Sequence, residues 1–289
     1  MKAKQEKKSL VFMKQTNSFL INKTDIEFVQ TLSCGQIFSY KEKENGFVVY
    51  SKDKKAEITE RENDYLIQTK DVDYFVNFFD LATDYSKIKN KLKKFDVLKE
   101  PIKFGAGIRI LKQDVFEMII SFAISANNRI PRIMKSLFYL REHFGKNMGD
   151  FYAFPTLKEL SILTEQDFVK AGTGYRAKQL VKLVQQLQCV DLNSWGLLPT
   201  EQLKSKLVSL SGIGPKVADC VLLFGYGRQD VFPVDTWIEK VYNQYFGFSN
   251  SRLEIRKKLV EIFGEYSGYA QQYLFFYQRE TSRNHKKDG

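Results

Sequence analysis

Lys216 is the residue of this sequence best placed to act as a nucleophile, and Asp235, nineteen positions later, is its natural partner. Lys216 follows Gly212-Ile213-Gly214-Pro215 and opens a helical pattern, so it stands in the first turn of that helix. There the positive end of the helix dipole disfavours an ammonium. Dipole and burial together are expected to lower its pKa and leave a neutral amine, the form that attacks an electrophilic carbon. Cys220 lies four residues on, which places its thiol beside the amine on the same helix face, where it also serves as a small core residue. Asp235, in Phe232-Pro-Val-Asp235-Thr-Trp237, has the position of an N-cap for the next helix, and a capping carboxylate that faces a cleft also stabilises a developing cation. Gly212 and Gly214 bracket a turn whose backbone N–H groups open onto a helix N-terminus. Such a turn either holds a phosphate or simply connects two helices.

These groups need elements to position them. From about residue 9 to 70 short aromatic or β-branched runs alternate with polar breaks, and Asn45-Gly46 between two of them is a hairpin signal. This half is expected to form an antiparallel meander. After Asp71 the spacing of Tyr74, Phe75, Phe78, Phe79 and Leu81 turns helical, and a second helical segment runs from Asp84 to Phe95. Lys99-Glu100-Pro101 and Gly105-Ala106-Gly107 are expected to form a linker. Beyond Gly107 strand signals nearly vanish. Val115 to Ala126 predicts a core helix, and Pro131 stands near the start of the next, whose inward stripe is Ile133, Met134, Leu137, Leu140 and Phe144. The expected class is α+β: a basic disordered N-terminus over 1–8, an antiparallel sheet domain with helices over 9–103, and an all-α domain over 104–289. The helical domain contains a helix-hairpin-helix at 203–224 and the Asp loop at 228–236.

The chain has 289 residues with 45 Lys+Arg against 34 Asp+Glu, a formal charge of +11, and 43% hydrophobic content, enough to bury a substantial core. A pI near 9.3 is compatible with a phosphate-rich partner. Three cysteines far apart in sequence provide neither a disulfide framework nor a four-Cys metal site, and a reducing cytoplasm is expected, at the nucleoid if the cell is bacterial. No apolar run is long enough to span a membrane. With two histidines and no Cys-x-x-Cys, zinc chemistry of the deaminase kind is excluded. The lysines between Lys87 and Lys103 are expected to form a solvated helix face.

Leu210-Ser-Gly-Ile-Gly-Pro-Lys216-Val-Ala-Asp-Cys220 followed by Val231-Phe-Pro-Val-Asp235 resembles the helix-hairpin-helix, Gly/Pro-rich loop and Asp motif of the base-excision DNA glycosylases. The lysine narrows the resemblance to bifunctional members. Gly35-Gln36-Ile-Phe38 and Gly268-Tyr-Ala-Gln271-Gln-Tyr-Leu-Phe275 narrow it further, to the 8-oxoguanine DNA glycosylase/AP lyase family. The resemblance implies that Lys216 attacks C1′ of the damaged nucleotide and forms a Schiff base while Asp235 stabilises the oxocarbenium-like sugar. It places the Gly35 carbonyl against the N7 hydrogen, which 8-oxoguanine has and guanine lacks, and Gln271 against the Watson–Crick edge. Phe275 and Cys220 would lie on the two ring faces. Asn127 would fill the gap left by the extruded nucleotide, with Arg132, Tyr175 and Arg176 at the orphaned base, read as cytosine. Gly212, Gly214, Val217 and Trp237 would meet the DNA backbone, Trp237 standing where eukaryotic relatives have a histidine. Arg129 and Ser211 replace an asparagine and a proline of the family pattern. No cofactor is required, although main-chain carbonyls of Val208, Leu210 and Ile213 resemble a site for a monovalent or divalent cation. The implied partner is double-stranded DNA containing an oxidised guanine, bound by a monomer.

Two other classes fit parts of the pattern. An alkylation-repair glycosylase of the same superfamily would use the aspartate without a lysine nucleophile, and a non-catalytic DNA-binding module would need neither the Lys216–Asp235 pair nor Gln271. A basic scaffold protein would show no salt-sensitive DNA affinity.

Overall fold

The structure, a computed structural model, describes residues 16–284; the expected basic segment 1–8 lies outside them. Strands β1 (Ser18–Asn22), β2 (Tyr40–Lys43), β3 (Gly46–Ser51), β4 (Lys54–Glu60) and β5 (Asp64–Gln68) form one antiparallel sheet of order β1-β5-β4-β3-β2. The β2–β3 hairpin is present, but its turn is Glu44-Asn45, because Gly46 already pairs with Lys43. Gly46 is required one step later than the hairpin signal suggests: a Cβ there would lie 1.9 Å from the Ile58 carbonyl oxygen of β4.

One helix, α1 (Phe28–Ser33), precedes β2. After the sheet come α2 (Val72–Phe78), α3 (Tyr85–Leu92), α4 (Asp96–Phe104), α5 (Val115–Ser125), α6 (Ile130–Phe144), α7 (Leu157–Ser161), α8 (Glu165–Lys170) and α9 (Ala177–Leu187). The chain continues through α10 (Leu192–Trp195), α11 (Thr200–Val208), α12 (Pro215–Phe224), α13 (Thr236–Tyr245), α14 (Arg252–Phe263) and α15 (Ser267–Asn284). The expected linker at 99–107 is largely helix: α4 runs through Pro101, which lacks the N–H for an interior bond. Burial outweighs that loss, since Leu98 and Ile102 pack with Tyr273, Leu274 and Phe276 of α15. The short α1 carries no long periodic stripe and gives no helical signal in the sequence. Its start is fixed by the Glu27 side chain, which accepts from the Val29 N–H at 2.9 Å.

Three apolar cores form among the described residues. One joins one face of the sheet to α1 and α2, a second lies among α5, α6, α9, α11 and α12, and a third joins α3 and α4 to α13, α14 and α15. Helices early in the chain thus share a core with the last three. A buried ion pair links sheet to helices: Glu117 of α5 accepts from Arg141 of α6 at 2.5 Å, from the Ser39 hydroxyl at 2.8 Å and from the Lys52 N–H at 3.0 Å. The lysines at 87, 91, 93, 94, 99 and 103 are exposed, as expected, while Lys89 donates to the Ala106 carbonyl at 3.0 Å. Among the described residues no helix is long and apolar enough to cross a membrane.

Candidate active site

Lys216 is the second residue of α12, where Pro215 supplies the preset first helical position. Its ammonium lies 5.7 Å from the centre of the Phe122 ring of α5, so a core aromatic forms its apolar seat. Burial works to lower its pKa, but the Cys220 side chain, to which it is hydrogen-bonded, and Asp235 outweigh burial and raise it above the usual lysine value. The expectation of a lowered pKa is therefore corrected. The dipole argument left out the acidic side chains that the fold brings to the amine, and in the free protein Lys216 is an ammonium. Burial pushes the Cys220 thiol up to about 11, against the pull of Lys216, so the thiol is neutral at neutral pH.

Asp235 is the N-cap of α13, and one carboxylate oxygen, Oδ1, accepts from both the Trp237 and Ile238 N–H groups at 3.0 Å. That leaves Oδ2 outside the cap, on a partly exposed side chain. The loop carrying Asp235 is drawn inward by buried Val231, Phe232 and Val234, and the Gly268 N–H ties it to α15 through the Gln229 carbonyl at 2.8 Å. The hairpin beneath Lys216 is locked by Asp219, which pairs with Lys204 of α11 and Arg256 of α14, each at 2.9 Å. Asp219 belongs to the same string as Lys216, yet its work is structural.

Gly35 has φ +84°, and a Cβ there would lie 3.2 Å from Phe275 Cε1. The fold thus brings Gly35, between α1 and β2, against Phe275 of α15, 240 positions away in sequence. Gln271, one turn earlier on α15, is buried, and its Oε1 has no hydrogen-bond partner among the described residues. An orphaned buried acceptor is unusual in a folded protein and is what a base edge carrying N–H groups would satisfy. Neighbouring residues that the sequence reading left unassigned hold this wall. Gln272 donates to the Cys34 carbonyl at 2.9 Å, and Gln36 donates to the Arg109 carbonyl at 2.7 Å while accepting the Leu111 N–H at 2.8 Å. Gln36 follows Gly35 directly, but nothing in the local sequence indicates that its amide is fully buried.

The loop between α5 and α6 and the turn before α9 meet. Asn127 is exposed with φ +49°, a left-handed conformation costly for a non-glycine residue. Arg176 is buried and holds that loop: its guanidinium donates to the Ala126 carbonyl at 2.7 Å through Nε and to the Asn127 carbonyl at 2.7 Å through Nη2, while Nη1 reaches the Thr173 carbonyl at 3.2 Å. Arg176 thus holds the loop that carries Asn127. Tyr175, 67% exposed, projects beside it with the Arg176 guanidinium 4.3 Å from its ring centre. Arg132 is exposed on the first turn of α6. Trp237 is partly exposed beneath the Lys240 ammonium, 5.0 Å from its ring.

At the hairpin, Gly212 has φ +78°, and the Gly214, Lys216 and Val217 N–H groups open the helix. The Leu210 carbonyl accepts from the Ile213 N–H at 3.2 Å, while no backbone bond to the Val208 or Ile213 carbonyls occurs among the described residues. These carbonyls have the hard oxygen character a cation site requires.

An amine seated on an aromatic ring, a carboxylate beside it, and a slot with a fixed wall, a stacking ring and an unsatisfied amide together suit covalent attack on a sugar carbon with recognition of an attached planar base. Two family models cover nearly all of the described chain: "8-oxoguanine DNA glycosylase, N-terminal domain" over residues 18–119 and "HhH-GPD superfamily base excision DNA repair protein" over 120–265. The chain is 33% identical over 219 residues to N-glycosylase/DNA lyase OGG1 of Arabidopsis thaliana, covering 69% of this chain and 58% of that one. It is 30% identical over 217 residues to N-glycosylase/DNA lyase of Saccharomyces cerevisiae, covering 58% and 56%. The match therefore spans little more than half the length of either relative. A solved structure of Clostridium acetobutylicum 8-oxoguanine glycosylase/lyase, in complex with double-stranded DNA containing cytosine opposite 8-oxoguanine, aligns over 94% of this chain and 98% of its own. Its identity is 35% and its TM-score 0.88.

Proposed function

The chain belongs to the HhH-GPD superfamily of base excision DNA repair proteins, with the N-terminal domain of the 8-oxoguanine DNA glycosylases, and from that premise we propose that it excises 8-oxoguanine opposite cytosine and then cleaves the strand. The observation that carries the reading is the slot. Gly35 and Phe275 are in contact, and a buried Gln271 waits one helical turn away with an unsatisfied acceptor. Chemistry on a base requires its extrusion from the stack, and such a slot reads the flipped base by edge contacts and stacking.

The reaction begins with transfer of a proton from Lys216 to solvent. The N-glycosidic bond breaks with its electrons leaving on the base, which takes up a proton from solvent; Asp235 Oδ2 stabilises the cationic sugar, and the freed lone pair of Lys216 then bonds to C1′. Ring opening gives a Schiff base between Nζ and C1′. Loss of a C2′ proton to solvent forms the C2′–C3′ double bond and expels the 3′ phosphate, and hydrolysis of the Schiff base by water releases Lys216. Discrimination lies in the Gly35 carbonyl, which accepts the N7–H of 8-oxoguanine and meets a lone pair on guanine. Asn127 takes the vacated space, Tyr175 inserts beside the orphaned base, Arg132 reads its edge and Arg176 braces the loop. Trp237 and the Gly212, Gly214 and Val217 backbone lie along the DNA. A cation held by the Val208, Leu210 and Ile213 carbonyls would add positive charge where a DNA phosphate meets the hairpin. One copy carries every slot residue, so a monomer suffices, and three unpaired cysteines suit a reducing cytoplasm.

Lys216→Gln tests the reading. It should abolish excision and borohydride trapping of the covalent complex while leaving DNA affinity nearly intact, and trapping at the parent level would overturn it.

A further inference from the structure

Arg279 lies on α15 one turn beyond Phe275 and is only 3% exposed. Its guanidinium carbon lies 5.1 Å from the centre of the Phe275 ring and 5.8 Å from that of Phe276. Nη2 donates to the Ser33 carbonyl at 2.5 Å, two residues before Gly35, and Nε donates to Glu280 at 2.8 Å. Nη1 is buried with no hydrogen-bond partner among the described residues, and it lies 3.2 Å from where a Cβ on Gly35 would stand. Phe275 keeps partial exposure although the cation beside it is buried.

We propose that Arg279 is a specificity-determining residue for the damaged base, acting through Phe275 and the Ser33–Gly35 loop rather than by touching substrate. The proposal rests on the reading of the slot as an 8-oxoguanine pocket. One planar cation reaches the loop that carries the N7-reading carbonyl and the ring on which the base stacks, and so fixes the distance between them. It also charges one side of that ring. A cation against an aromatic ring withdraws electron density from it, which makes its other face a better partner for an electron-rich base. 8-Oxoguanine, with an added oxygen donating into the purine, is more electron-rich than guanine. Burial of a charge with an unused N–H costs stability, and a fold keeps such a group where it has work to do. Lysine would not substitute, because a point ammonium lacks the planar fork that holds a carbonyl while lying along a ring.

The test uses the full chain carrying Lys216→Gln, which should bind without cutting, and three duplexes: 8-oxoguanine, guanine, and a tetrahydrofuran abasic analogue with no base to place in the slot. Adding Arg279→Met should weaken the 8-oxoguanine duplex by about tenfold and leave the abasic duplex within about twofold. Arg279→Lys, which keeps the charge, should recover only part of the loss. Equal weakening of both duplexes, or of neither, overturns the proposal. If Arg279→Met does not fold, Arg279→Lys carries the test: a reduced preference for 8-oxoguanine supports the proposal and an undiminished one overturns it. Failure of the Lys216→Gln parent to prefer 8-oxoguanine over guanine would instead overturn the 8-oxoguanine reading itself.

Discussion

Replacing Gly35 by alanine should separate base recognition from the chemistry at Lys216. At φ +84° an L-residue carries roughly 1–2 kcal/mol of backbone strain, and the added methyl would lie 3.2 Å from both Phe275 Cε1 and Arg279 Nη1. Relief must come from rotating the Gly35 carbonyl, moving the Phe275 ring, or both. A carbonyl turned away from N7–H forfeits the net worth of one hydrogen bond, about 0.5–1.5 kcal/mol, and a displaced ring forfeits part of a base-stacking contact worth about 1–3 kcal/mol. A combined loss near 2 kcal/mol corresponds to about thirtyfold in rate. Single-turnover cleavage of a duplex containing 8-oxoguanine should therefore slow by about that factor. Cleavage of a duplex with a preformed abasic site should stay within about twofold, because no base enters the slot and the Lys216–Asp235 pair lies elsewhere. A parallel fall in both rates would place the damage outside the slot, and unchanged excision would refute the role of the Gly35 carbonyl.

Because Cys220 and Asp235 raise the Lys216 pKa, the neutral-amine fraction grows with pH below that value. Single-turnover excision should climb by up to about tenfold per pH unit between about pH 6 and pH 9, and a flat profile would refute an ammonium resting state. Arg176→Ala should slow excision opposite all four bases alike, by about 10–100-fold, because it releases the Asn127 loop, whereas Arg132→Ala should alter the ranking among opposite bases. A loss confined to cytosine in Arg176→Ala would show direct base reading instead. Glu117→Ala strands the Arg141 guanidinium in the interior and should cost about 3–5 kcal/mol in urea unfolding; a loss under about 1 kcal/mol would show that the pair adds little.

Local chemistry was legible in the sequence where the chain supplies it locally. The turn from Gly212 to Gly214, the first-turn placement of Lys216, the cap at Asp235 and the i, i+4 pair Gln271–Phe275 all follow from short-range spacing. What depended on distant parts of the chain was missed or misjudged. The Lys216 pKa is raised by Cys220 and by Asp235 across a loop, and the hydrogen bonds of Arg176 run to carbonyls some fifty residues earlier. Pro101 suggested a break because backbone rules disfavour it in a helix, but the burial of Leu98 and Ile102 against α15 prevailed. Arg279 carries no motif at all; only its burial beside Phe275 and Gly35 distinguishes it from the many surface cations.

The slot lies on a seam between two cores. Cys220 and Phe122, which meet Lys216, belong to the core of α5, α6, α9, α11 and α12, whereas Cys34 and Phe276 belong to the core shared by α3, α4 and the last three helices, and Phe275 packs against it. The Asp235 loop crosses between them, with Val231 in one and Phe232 and Val234 in the other, and Tyr269 packs against both. One hydrogen bond runs from the start of α15 to this loop, at the Gln229 carbonyl, while the bond from Gln272 to the Cys34 carbonyl lies within the core of the last three helices and ties the Gly35 loop to α15. Close-packed cores resist internal deformation, so a flipped base clasped at the seam would be gripped between two stiff bodies. Lys216 stands on one body and Phe275 on the other, so their separation is set by packing between cores. Alignment of the base with Lys216 is therefore sensitive to substitutions along the seam that touch neither DNA nor base.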